Sequence, residues 1–220
     1  MDVTGGDVAM LHRPDPILVA ADLGHGRLWP CSPTMELMRT PIFRSVPARL
    51  VDGEFGPVRV RAIRPTDALK LERFYAALSP ESRRTRFFSV GSALSHDQSV
   101  SFCTTDHDHR EGFVAVVDGG PEGQERIVGH LCVEPDGADT AEVAIAVSDE
   151  FQHRGIGRRL MEAGAAWARR ERIARFTATM LASNAPIHRL LIELGRPTLR
   201  YVGGGVAEIT IDLVGQSVAA

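Results

Sequence analysis

The stretch AEVAIAVSDEFQHRGIGRRLMEAGAAWA, residues 141–168, decides how this chain is read. AEVAIAV has the texture of a strand. It gives way to a loop containing Gly155 and Gly157, and the loop opens an amphipathic helix. Ile156, Leu160, Ala163, Gly164 and Trp167 fall on the helix's apolar side, with Arg158, Arg159, Glu162, Arg169 and Arg170 outward. Unpaired N–H groups and the positive end of the dipole make such a helix start a phosphate site. Glycines there let the backbone approach the ligand, and Arg154 and Arg158 can add charge-assisted bonds to a pyrophosphate. The stretch is not a dinucleotide fingerprint, because Leu160 replaces its third glycine, and no lysine follows as in a P-loop.

Outward from this stretch, GFVAVVD (112–118), ERIVGHLCVE (125–134) and AEVAIAV (141–147) are successive strands with short turns, which predicts an antiparallel meander. The glycine-loop helix is followed directly by a strand in ARFTATML (174–181), a βαβ arrangement that favours parallel pairing. A helix over Asn184–Leu194 stops at Gly195, and two strands flank Gly203–Gly205. Upstream, VRVRAIR is a strand ended by Pro65. Thr66 is expected to cap a helix bearing Leu69, Leu71, Phe74 and Leu78, Ser79-Pro80 to open a second through Phe88, and a third to follow Ser95. The expectation is an α/β fold with a sheet of mixed direction. Residues 1–56 lack sustained periodicity and are expected to be an irregular extension, 57–215 the domain, and 216–220 a tail.

Composition narrows the function. A net charge of −3 argues against a nucleic-acid binder, and the 44% hydrophobic content contains no run near the ~20 residues of a membrane span. The amino terminus lacks the pattern of a secretory signal, so a cytoplasmic location is expected. Cys31, Cys103 and Cys132 have neither disulfide nor zinc spacing. Asp106-His107-Asp108-His109 alternates carboxylate and imidazole, but neighbouring loop positions rarely point inward together, so no metal is expected. Lys70 is the sole lysine and is expected to point to solvent. Arg83, Arg84 and Arg86 read as a solvated helix face.

Gln152-His153-Arg154-Gly155-Ile156-Gly157 matches the Q/R-x-x-G-x-G/A signature of the GNAT acetyltransferase superfamily, which the chain resembles. The resemblance continues in Asn184 opening a helix that closes on Leu194-Gly195. VRVRAIRPTDALKLERFYAALSPESRRTRFF (58–88), TTDHDHREGFVAVV (104–117) and SNAPIHRLLIELG (183–195) are similar to the GNAT domain of bacterial Pat-type protein lysine acetyltransferases. The chain departs from them in its short leading segment and in Arg196, where a phenylalanine is usual.

The resemblance implies a mostly antiparallel sheet with a splayed parallel strand pair and flanking helices. It implies acetyl-CoA as acyl donor, bound by Ile145, Ala146, Val147, Gln152, His153, Arg154, Gly155, Ile156, Gly157, Arg158 and Asn184. It also places Glu142 where Pat-type enzymes carry the general base. By alternation Glu142, Ala144 and Ala146 share one face, where two alanines leave space for a substrate chain. Leu191 stands where many members carry a tyrosine acid, so that role has no occupant, and His188 is a substitute candidate. The acceptor is expected to be a protein lysine, an acyl-CoA synthetase among the candidates. The alternatives are a small-amine N-acetyltransferase and a non-catalytic acyl-CoA-binding regulatory module.

Overall fold

A computed structural model describes residues 56–88, 94–107, 109–119 and 125–213, all within the unit Thr40–Ala220. The expected extension, apart from Gly56, lies outside the described residues, as do the tail, Cys31 and Asp108.

The chain runs β1 (Arg59–Ala62), α1 (Ala68–Ala77), α2 (Pro80–Phe87), α3 (His96–Cys103), β2 (Glu111–Val117), β3 (Arg126–Pro135), β4 (Thr140–Val147), α4 (Ile156–Arg170), β5 (Arg175–Leu181), α5 (Ala185–Ile192), β6 (Arg196–Gly203) and β7 (Val206–Asp212). The strands form one sheet in the order β1-β2-β3-β4-β5-β7-β6. Every neighbouring pair is antiparallel except β4–β5, which is parallel because α4 carries the chain back across the sheet.

The sheet is packed on both faces, and that explains the unbroken apolar run in β2. Phe113, Ala115 and Val117 join Leu131, Leu160, Trp167, Phe176 and Ile209 under α4. Val114 and Val116 join Leu71, Phe74, Tyr75 and Leu78 under α1. Each large apolar side chain so enclosed contributes ~1.5–3 kcal/mol. The helix α4 lies close on β3 because each carries a glycine at the contact: a Cβ on Gly164 of α4 would come within 2.7 Å of Leu131, and one on Gly129 of β3 within 2.9 Å of Leu160.

Local details depart from expectation at the first helix. The N-cap position of α1 belongs to Asp67, not Thr66, because Pro65–Asp67 forms a 3-10 turn in front of it. The Asp67 carboxylate accepts from the Arg64 backbone N–H at 3.0 Å and from the Arg61 guanidinium at 2.6 and 2.9 Å. Burial alone would raise the Asp67 pKa, but Arg61 outweighs it and holds the carboxyl below its ordinary value. Leu69 faces outward, whereas Lys70 turns toward Asp67 at 3.7 Å with only 22% of its side chain exposed. The expected solvent-facing lysine is thus a partly sheltered ion-pair partner.

Among the described residues no helix is long and apolar enough to cross a membrane, and no group of His, Cys, Asp and Glu could hold a metal ion. Asp106 instead closes its own loop, accepting from the backbone N–H groups of His109 and Arg110.

Candidate active site

The parallel pairing of β4 with β5 covers only Thr140, Ala141 and Glu142 against Arg175, Phe176 and Thr177. Both strands then continue, β4 to Val147 and β5 to Leu181, so the sheet opens into a V just beyond Glu142. On its other side β4 stays paired with β3 up to Val147. The Ser148 N–H donates to the Val128 carbonyl at 2.9 Å, which sets the alternation along β4. Residues 142, 144 and 146 therefore spend their backbone groups on β3, while Val143, Ile145 and Val147 aim theirs at the open side. Of the expected backbone contacts, this alternation favours Ile145 and Val147 and commits Ala146 to the ladder opposite His130.

At the mouth of the V lies the glycine loop. Gly155 occupies the N-cap of α4 at φ 77°, a left-handed conformation that side chains resist. His153, at φ 58°, turns the chain just before it. Arg154 and Arg158 are exposed on either side, and Ile156 is buried in the core beneath. A Cβ on Gly157 would stand 3.2 Å from Leu190 of α5, 3.8 Å from Ile145 and 3.9 Å from Val147, which places the loop directly over the open edge of β4. Asn184 caps α5, its Oδ1 accepting from the Ile187 N–H at 3.3 Å. The fold thus brings Ile145, Val147, Gly155, Gly157 and the Asn184 helix to one place.

Gln152 has a local partner set that the sequence did not suggest. Its Nε2 donates to the Val147 carbonyl at 3.2 Å and to Ser82 Oγ at 3.1 Å. Asp149 accepts from the Ser79 backbone N–H at 2.9 Å and from the Ser79 and Ser82 hydroxyls, both at 2.7 Å. The LSPES stretch is therefore a clasp: its two serines fasten the start of α2 to the loop preceding α4.

Glu142 stands at the vertex of the V, opposite Glu134 on β3 and Thr177 on β5. Its side chain reaches solvent, yet neighbouring protein thins its hydration and raises its pKa. The carboxylates of Glu134, Asp136 and Glu208 push in the same direction, and Arg86 opposes them. Space beside Glu142 is narrower than the alanines suggest: Ala146 is enclosed with Tyr75 and Leu78, and only Ala144 is half-open. Leu191 is fully buried in the core, and His188 sits half-buried on α5.

The solvated face expected for the α2 arginines holds for Arg84, which pairs with Glu81 at 2.9 Å. It fails for Arg83 and Arg86, whose Nε atoms are buried without a hydrogen-bond partner. The reason is the seat of α2 across β4 and β5, which no local periodicity announces.

A parted parallel strand pair, with a glycine loop at a helix start and a carboxylate near the vertex, is the arrangement expected of one class of acyltransferase. The family described as "Acetyltransferase (GNAT) family" matches residues 71–195, more than half of the chain, and the chain belongs to this family of N-acetyltransferases. Its narrower kinship is with Pat. Acetyltransferase Pat of Mycolicibacterium smegmatis is 28% identical over 155 residues, covering 70% of this chain but 45% of that protein. The chain thus spans less than half the length of this relative. The crystal structure of the GNAT domain of S. lividans PAT has a TM-score of 0.67 at 32% identity, covering 79% of this chain and 99% of that one. A structure of yncA from Salmonella typhimurium with its cofactor acetyl-CoA shares the fold, with a TM-score of 0.56 at 18% identity and coverage of 74% of this chain and 96% of that one.

Proposed function

We propose that this protein transfers an acetyl group from acetyl-CoA to a primary amine, the side chain of a protein lysine. The observation that carries the reading is the V between β4 and β5, with Glu142 at its vertex and Gly155 at its mouth. In this reading the α4 N-terminus takes the pyrophosphate, with Arg154 and Arg158 beside it, and the open backbone of Ile145 and Val147 takes the pantetheine arm. Glu142 accepts a proton from the incoming ammonium, directly or through water, and the freed nitrogen attacks the thioester carbonyl. Backbone N–H groups where the strands part hold the developing oxyanion, and the tetrahedral adduct expels the CoA thiolate, which takes up the remaining extra proton of the nitrogen to leave a neutral amide and the CoA thiol. The raised pKa of Glu142 suits a base working near neutrality. A protein acceptor is supported by likeness to Pat and by strand β6 beyond the V, which is exposed along its whole length among the described residues.

The test is thiol release from acetyl-CoA against a panel of acyl-CoA synthetases, lysine peptides and small amines, with products mapped by mass spectrometry. Glu142→Gln should keep its affinity for acetyl-CoA while turnover falls about a hundredfold or more. Unchanged turnover across the pH range removes Glu142 from the mechanism. Rapid consumption of a small amine with no protein acceptor modified replaces the lysine reading. Binding without turnover on every acceptor points to a regulatory module.

A further inference from the structure

We propose that Gln152 is a positioning residue of the donor site: its side chain clamps the last peptide of β4, between Val147 and Ser148, so that this end of the strand meets the pantetheine arm in one fixed orientation. The inference rests on reading the V as the acetyl-CoA site. Gln152 follows the 3-10 turn Asp149–Phe151, its N–H donating to the Asp149 carbonyl at 3.3 Å, and Phe151 of that turn is fully buried. The backbone that carries the side chain is thus fixed before the glycine loop begins. From there the side chain reaches back to the Val147 carbonyl, 3.2 Å away, and across to Ser82 of α2, 3.1 Å away.

Each hydrogen in this network has one direction. A carbonyl oxygen only accepts, so the group facing Val147 is the Gln152 amide nitrogen and not its oxygen. The Asp149 carboxylate accepts the Ser82 hydroxyl hydrogen at 2.7 Å, which leaves the Ser82 oxygen to accept from Gln152. The amide nitrogen carries two hydrogens, and Val147 and Ser82 take both. No side-chain hydrogen of Gln152 is left for a pyrophosphate. The peptide it holds is gripped from both sides of β4. Toward β3 the Ser148 N–H donates to the Val128 carbonyl at 2.9 Å, and toward the gap the Val147 carbonyl of the same planar unit accepts from Gln152. Val147 lies past the residues of β4 that pair with β5, so without Gln152 the carbonyl would have no strand to bond. With it, the end of β4 cannot swing, and the Val147 N–H and the second lone pair of its carbonyl stay aimed at the gap, where the amides of a pantetheine arm need them.

The experiment compares two donors, acetyl-CoA and acetyl-pantetheine, which lacks the pyrophosphate and the nucleotide. In Gln152→Met, which matches the side chain's length but has no N–H, kcat/KM should fall about tenfold for both donors, the scale of one hydrogen bond, with the KM for the amine acceptor unchanged. Gln152→Arg, which restores N–H donors, should recover most of that loss with acetyl-pantetheine. Ser82→Ala should lower both donors together, and should add little in the Gln152→Met background because the two groups act in one chain. A loss confined to acetyl-CoA makes Gln152 a ligand of the nucleotide half and overturns the proposal. An arginine variant as deficient as the methionine one assigns the loss to packing, and a Ser82→Ala effect that adds in full breaks the chain; either also overturns it. If Gln152→Met fails to fold, Ser82→Ala decides alone with the same two donors. Failure of the underlying reading is separate: it shows as a wild-type protein that does not bind acetyl-CoA by calorimetry. Where the wild type binds without turnover, the affinities for the two donors are compared in place of kcat/KM.

Discussion

Gly155 and Gly157 stand two residues apart in one loop and respond differently to substitution. Gly155 is held at φ 77°, so even alanine is strained there, whereas the one tight contact of a Cβ on Gly157 is with the flexible tip of Leu190 at 3.2 Å. Gly155→Ala should lower the unfolding free energy by about 1–3 kcal/mol, the cost of a side chain in that region, while Gly157→Ala should cost a fraction of this. Denaturant titration of the two variants checks it, and equal losses would show that the left-handed turn is not the constraint. Gly155→Glu should in addition abolish measurable affinity for acetyl-CoA by calorimetry, since it sets a carboxylate against the pyrophosphate. The glycines were legible because their chemistry is local. Arg86 was not, because a guanidinium in RRTRF looks solvated until α2 is known to lie over β4.

At the scale of elements, the joint between α2 and the loop before α4 is polar and specific. Asp149 is exposed, and the hydrogen bonds from Ser79 and Ser82 outweigh its partial burial and lower its pKa. A carboxyl whose folded pKa is depressed adds stability above its unfolded value near ~4, and this stability is lost as pH falls through the folded value. Asp149→Asn should therefore cost about 1 kcal/mol near neutrality, the scale of one net hydrogen bond, and the gap from wild type should shrink below about pH 4. Chemical denaturation at pH 7 and pH 3 reads both numbers, and a gap constant with pH would assign the joint to packing instead. The element order itself was readable: the meander, the glycine-loop helix and the Asn184 helix fall where periodicity and caps put them. Ser79 was recognisable as a helix start, but its partner lies 70 residues away, and local pattern holds no record of that distance.

For the whole molecule, the buried row on the α1 face sets the acid limit. His130 is fully buried and its pKa is depressed to about 3, with desolvation the main cause and Arg86 and Arg110 adding to it. Since the unfolded value is near ~6.5, the neutral ring contributes stability above that pH, and the contribution erodes as pH falls from there toward about 3. Stability should drop by up to about 1.4 kcal/mol per pH unit across this window, and His130→Gln should flatten the slope. Thermal midpoints measured from pH 7 to pH 4 check this, and an unchanged slope in the variant would shift the cause to the carboxylates. The sequence predicted a sheet of mixed direction but not its strand order. That β7 lies between β5 and β6 depends on Gly195, whose missing side chain lets it sit where a Cβ would be 1.9 Å from the Asp212 carbonyl oxygen.

The serine clasp has a mechanical consequence. Three hydrogen bonds to Asp149 and one from Gln152 to Ser82 fasten α2 to the loop that leads into α4. The start of α2 and the loop that leads to Gly155 are therefore tied together, and displacing either one breaks these bonds. A ligand that orders the Gly155 turn is therefore expected to order the start of α2 as well, and hydrogen exchange at Ser82 with and without acetyl-CoA would read it.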